Sequence, residues 1–98
     1  MYEIDRSELR RESAILVGVL LPARRGDERP LDELEGLAEA AGLRVVGQLV
    51  QRREAPDAAT YLGKGKVEEL KGQVAAADAD VVIFDNDLSP GQTRNLEK

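Results

Sequence analysis

The residues with the most chemistry to offer lie in a short glycine–lysine segment, Gly63-Lys64-Gly65-Lys66, set between a polar stretch and an apolar-periodic one. Free N–H groups at a helix start carry partial positive charge, and lysines beside them make a phosphate cradle. Glycines let the backbone of RNA or a nucleotide come close. Arg52 and Arg53 open the same stretch, and Tyr61 lies within it. From Arg52 to Lys66 there are four basic residues and two acidic ones, on a chain of net charge −5. That local excess suits RNA phosphates, with Tyr61 available to stack on a base. The plainer reading stands beside it: glycines that serve turn geometry, solvated cations, and a Tyr61 packed on the helix. For Tyr61 the plainer reading is the stronger.

A GTP-binding P-loop is a different object. It needs G-x-x-x-x-G-K-[ST], so that a hydroxyl meets the magnesium ion. Here Gly65-Lys66 is followed by Val67, and the residue five before Gly65 is Thr60. GTP binding of the P-loop kind by this segment is therefore not expected. A second candidate is the pair Asp85 and Asp87, at the carboxyl end of an apolar run. Ligands gather at such ends of parallel sheets, and two carboxylates with waters can hold magnesium. A polar strand-to-helix turn, capped by Asp87 or Ser89, explains the same residues and is preferred, so no metal site and no catalytic residue is assigned. Arg24, Arg25 and Arg29, offset by Asp27 and Glu28, read as a solvated loop.

Composition narrows the classes further. The chain has no cysteine and no histidine, which excludes disulfides and thiolate zinc sites and removes the commonest general base near neutral pH. A small enzyme working through Asp85 and Asp87 is thus the least favoured of three functions. The others are an RNA-contacting domain and a stand-alone nucleotide-binding module built on Gly63–Lys66. Hydrophobic residues make up 42% and charged residues 34% of 98 residues, the balance of one small folded domain. The longest apolar run, Ala14 to Leu21, is far below the roughly 20 residues of a membrane span. No signal-peptide pattern opens the sequence, so a cytoplasmic location is expected. The only aromatics are Tyr2, Tyr61 and Phe84, so the core must be aliphatic.

The elements that position these residues follow from periodicity. Residues 1–13 read as a flexible charged arm. Ala14–Leu21 is a continuous apolar strand ending at Pro22. Pro30 suits a first helical position, and Leu31, Leu34, Leu37, Ala38 and Ala41 recur at helical spacing up to a cap at Gly42. Residues 43–51 form a second strand and 52–65 a long loop. Residues 66–77 form a second helix, with Gly65 as its N-cap. Residues 80–84 form a third strand. Ser89 and Pro90 then open a third helix. The order β-α-β-α-β-α predicts an α/β sandwich of two or three layers around a mainly parallel sheet. The third helix reaches Lys98 after barely two turns, with Leu96 its only large apolar residue, and the expectation is a piece of a longer protein truncated within that helix.

Three motifs carry a resemblance. Tyr61-Leu-Gly-Lys-Gly-Lys-Val-Glu-Glu-Leu70 is similar to a segment of the HflX-type GTPases. So is Ala41-Gly42 followed by a valine-rich strand ending in Gln51 and the basic pair Arg52-Arg53. So is Phe84-Asp-x-x-Leu-Ser-Pro-x-Gln-x-Arg-Asn-Leu-Glu97, in which Asp85, Ser89, Pro90, Gln92 and Asn95 are motif positions. Together they cover residues 14–98, which would be the N-terminal α/β domain of such a protein. The resemblance implies that a pair of long helices and a Ras-like G domain follow, and that these are absent here. It implies a GTP hydrolase that uses GTP and magnesium in the G domain, and none of either in this domain. It implies association with the rRNA of the large ribosomal subunit, in splitting or rescue of ribosomes. Gln92, Arg94 and Asn95 would meet the missing helical region or a neighbouring loop. Surface left uncovered by the missing parts would favour artificial self-association.

Overall fold

A computed structural model describes residues 12–24, 26 and 28–97. Tyr2 and most of the expected arm, together with Arg25, Asp27 and Lys98, lie outside the described residues. Three strands form one sheet, β1 (Ser13–Leu20), β2 (Arg44–Arg52) and β3 (Val81–Phe84), in the order β2-β1-β3 with both pairings parallel. The helices are α1 (Asp32–Ala40), α2 (Lys64–Ala77) and α3 (Pro90–Glu97), and a short 3-10 turn spans Pro22–Arg24.

β1 is buried along its whole length because it is the central strand and is covered on both faces. Its side chains alternate. Ile15, Val17 and Val19 join Leu49, Leu62 and Leu70, with Val67 and Val74 of α2 packed alongside. Leu16 joins Leu31 and Ala38, with Leu34 of α1 packed alongside. One helix therefore covers each face, and the sandwich has three layers. The topology explains this arrangement. The β1-to-β2 crossover runs one way across the sheet and the β2-to-β3 crossover runs back, so crossovers of one hand put their helices on opposite faces.

The element ends differ from expectation in instructive places. Ser13 belongs to β1, not to the arm. It is 2% exposed, and that burial is compatible with its polarity because Asp80 Oδ2 accepts from its N–H at 2.8 Å and its hydroxyl donates to Asp78 O at 3.2 Å. Helix α1 begins at Asp32, two residues after Pro30. Leu31 sits at the N-cap, where its apolar side chain can make no cap bond and is instead buried in the core at 2% exposure. Asp32, Glu33 and Glu35 in the first turn supply the negative charge that a helix start favours. At the other end Gly42 has φ +88, with Gly42 N–H donating to Glu39 O and Leu43 N–H to Ala38 O. That is a Schellman closure, as the glycine suggested.

Helix α2 begins two residues earlier than expected, and its N-cap is Gly63, not Gly65. Two features choose between the glycines, and neither is local. Leu62 is fully buried and fixes the entry of the chain, and Gln51 Oε1 accepts from Gly63 N–H at 2.9 Å. Helix α3 opens as the sequence predicts. Gln92 N–H donates to Ser89 Oγ at 3.1 Å and Ser89 N–H donates to Gln92 Oε1 at 2.9 Å, a reciprocal capping box.

Candidate nucleic-acid interface

The glycine–lysine segment forms the first turn of α2. The first intrahelical bond there is Val67 N–H to Gly63 O at 3.0 Å, so the N–H groups of Lys64, Gly65 and Lys66 have no partner within the helix. No side chain caps this end, and the space around Gly65 is open. Gly63 has a different role. A Cβ on it would lie 2.6 Å from Arg53 Nη1 and 3.0 Å from Gln51 Nε2, so glycine is what lets these two side chains lie across the helix entry.

Arg53 is half-buried and folds back over its own loop, its Nε–H donating to Ala55 O at 2.9 Å. Arg52 and Lys64 are exposed, and neither joins an ion pair among the described residues. Lys66 is partly neutralised by Glu69 at 3.0 Å. Lys64 is thus the cation at the helix start that joins no ion pair among the described residues, with Arg53 and Lys66 flanking it, whereas Arg52, between Gln51 and Arg53 in sequence, alternates to the other face of β2. Exposed pairs such as Lys66–Glu69 contribute little, about 0–1 kcal/mol, so Lys66 can change partner at small cost.

The loop that joins β2 to α2 is tightly shaped. Asp57 and Tyr61 exchange backbone hydrogen bonds, both at 2.9 Å. Asp57 Oδ1 also accepts from Ala59 N–H at 2.8 Å and from Thr60 N–H at 3.2 Å. These backbone donors, and then the positive charges of Arg53 and Lys64, hold the Asp57 carboxyl below its ordinary value. Tyr61 takes a left-handed backbone, φ +67, which the Asp57 bridge holds in place. It is half-buried and packs against the cluster around Val17 and Leu62.

The second motif arrives from the opposite direction. Gln92 Nε2 donates to Asp57 O at 2.9 Å and to Ala58 O at 3.4 Å, and Asn95 Nδ2 donates to Ala59 O at 2.9 Å. Gln92 and Asn95 therefore meet the neighbouring loop. Ser89 and Pro90 shape the start of their helix. Sequence reasoning missed Gln51 and Asp57. A loop Asp, whose carboxylate can accept from backbone N–H groups two and three residues on, is a turn signal that pointed to Asp57, whereas the reach of Gln51 across the loop has no local signature.

Asp85 stands apart from this assembly. Its Oδ2 accepts from Arg24 Nη1 at 2.9 Å, and Arg24 Nη2 donates to Pro30 O at 3.0 Å. Arg24 is thus a bridge between the turn after β1 and the end of β3, which corrects its reading as a solvated loop residue. Beside it Asn86 Oδ1 accepts from Val19 N–H at 2.9 Å and Asn86 Nδ2 donates to Val19 O at 3.0 Å, extending the β1–β3 ladder with a side chain. These contacts fill the switch point between β1 and β3, where ligands commonly bind in open parallel sheets. Asp87 is exposed, and among the described residues no group of three or more acidic side chains gathers to hold a metal ion.

Residues 28–98 match the family model of the GTP-binding GTPase N-terminal domain. The GTPase HflX of Lacrimispora saccharolytica is 44% identical over 86 residues, which cover 88% of this chain and 20% of that protein. That of Alkalihalophilus pseudofirmus is 43% identical over 97 residues, covering 98% and 22%. That of Escherichia coli is 38% identical over 87 residues, covering 89% and 20%. The chain spans about a fifth of the length of these relatives. With the fold, the basic loop and the family motifs all in register, this chain belongs to the GTP-binding GTPase N-terminal family, as an N-terminal α/β domain of the HflX type.

Proposed function

We propose that this domain is a ribosome-contacting module of a translation-associated GTPase, and that it presents the loop from Arg52 to Lys66 to rRNA of the large subunit. The observation that carries this reading is the uncapped start of α2, whose first N–H groups have no partner within the helix and lie beside Lys64, with Arg53 across the entry, on an acidic chain. Arg53, Lys66 and Gly65 complete the surface, and Gly63 and Tyr61 shape it from beneath. The domain positions and does not catalyse. The work of the whole protein would be ribosome splitting or rescue in the cytoplasm. GTP and magnesium would be handled by a G domain elsewhere in the longer chain.

The residues present do not fit GTP–magnesium. Where a P-loop places a hydroxyl, Val67 packs toward the apolar cluster. The space above Gly63 is taken by Arg53 and Gln51. Other parts of the protein would pack on the β3 edge and on the cleft of about 940 Å³ between α2, β3 and α3, lined by Val67, Leu70, Val74, Phe84 and Leu96. No helix among the described residues is long and apolar enough to cross a membrane.

Sedimentation with purified large subunits tests the proposal, because an RNA contact made through cations weakens steeply as salt rises. The second reading, a mononucleotide site at the same loop, rests on the same uncapped helix start. It predicts saturable binding of a free nucleotide without ribosomes.

A further inference from the structure

Helix α3 buries none of its residues, yet it reaches the basic loop with two carboxamides. Gln92 uses both ends of its side chain. Its Oε1 accepts from Ser89 N–H and closes the helix cap, while its Nε2 donates to the carbonyls of Asp57 and Ala58. Asn95, one turn on, donates to Ala59 O. The three carbonyls belong to the turn whose N–H groups shape the Asp57 carboxylate, and that turn leads through Tyr61 to the cationic start of α2. On the adjacent side of α3, Thr93, Leu96 and Glu97 line the cleft against α2 and β3.

We propose that α3 is a clasp that sets the shape of the basic loop, with Gln92 and Asn95 as its positioning residues, so that the loop is held in the shape in which it meets RNA. The consequence for RNA rests on the function proposed above, whereas the clasp itself does not. A helix without buried side chains is fastened by few contacts, and these hydrogen bonds are a large share of them. Releasing α3 therefore frees the loop without opening the core.

The test is amide hydrogen exchange on the 98-residue chain, together with large-subunit sedimentation, for three variants. Gln92→Glu/Asn95→Asp keeps the cap acceptor but turns the donors toward the loop into carboxylate oxygens. Ser89→Ala weakens the cap and keeps the donors. Arg94→Glu makes the same change of charge on an exposed position of α3 without touching the loop. The clasp predicts that exchange at Asp57, Ala59, Thr60 and Tyr61 rises about tenfold or more in the double variant alone, with β1 amides unchanged. It also predicts that subunit binding falls further in the double variant than in Arg94→Glu. Unchanged loop exchange in the double variant overturns the clasp. Faster loop exchange with binding no weaker than in Arg94→Glu overturns its positioning role. If the parent chain does not pellet with subunits at all, the RNA reading fails, and loop exchange alone still decides the clasp.

Discussion

Asp57 holds together the most particular chemistry of the loop. Its carboxylate accepts from two backbone N–H groups, and it sits in the field of Arg53 and Lys64. Both effects favour the charged form and hold the group below its ordinary value of 3.8. The sign of the linkage follows. A carboxyl whose native value is depressed adds stability above its unfolded-state value, and that stability is lost as pH falls through the native one. Asp57→Asn keeps an oxygen for the turn and removes the titration. The parent is thus expected to lose stability more steeply than Asp57→Asn as pH falls below about 4, with urea midpoints as the measure and an NMR titration of the Asp57 carboxyl as the direct check. Equal slopes for both proteins would show that Asp57 does not hold the loop through its charge.

At the scale of elements, the strands and the third helix were legible and the helix starts were less so. The unbroken apolar run of β1 could only be a strand buried on both faces, and it is the central strand. Leu16→Ala in that strand opens a cavity under Leu31 and Ala38 and is expected to cost about 2–5 kcal/mol, seen as a lower urea midpoint with little change in m. A cost below that of a surface substitution would place Leu16 outside the core. Ser89 and Pro90 announced α3, and the reciprocal bond from Gln92 came only with the structure. The start of α2 falls two residues from its expected place because Gly63-Lys64 and Gly65-Lys66 are locally equivalent. Gln51, twelve positions upstream of Gly63, breaks the tie only once the chain is folded. Arg24 and Asp85, 61 positions apart, were likewise invisible as partners. So was the grip of Gln92 and Asn95 on residues 57–59: their residue types suggested contacts, but only the sandwich brings that loop beneath α3.

For the whole molecule, the net charge of −5 and the local positive loop pull in opposite directions. Long-range attraction to RNA is weak for such a chain, so the proposed contact would draw its affinity from close approach at the α2 start, where the N–H groups lie beside Lys64. The same geometry separates this domain from the nucleotide chemistry of its family. With Val67 in place of the P-loop hydroxyl, magnesium-dependent GTP binding by this chain is expected to be undetectable at micromolar concentrations by calorimetry. A clean micromolar isotherm that requires magnesium would overturn the assignment of GTP to another domain. The sheet topology carries its own message. A parallel sheet is normally covered throughout, yet every residue of β3 is only half-buried, so under the proposed function that side is where the rest of a longer protein would pack.

The central claim is that the loop from Arg52 to Lys66 meets rRNA, and co-sedimentation with purified large ribosomal subunits at low and moderate salt tests it most directly. The parent chain is expected to pellet at low salt and to release as salt rises. Lys64→Ala/Lys66→Ala is expected to bind more weakly and to flatten the log–log salt dependence by about 1.4, because two phosphates are no longer neutralised by lysines. Equal pelleting of parent and double variant, or binding by neither, would contradict the claim.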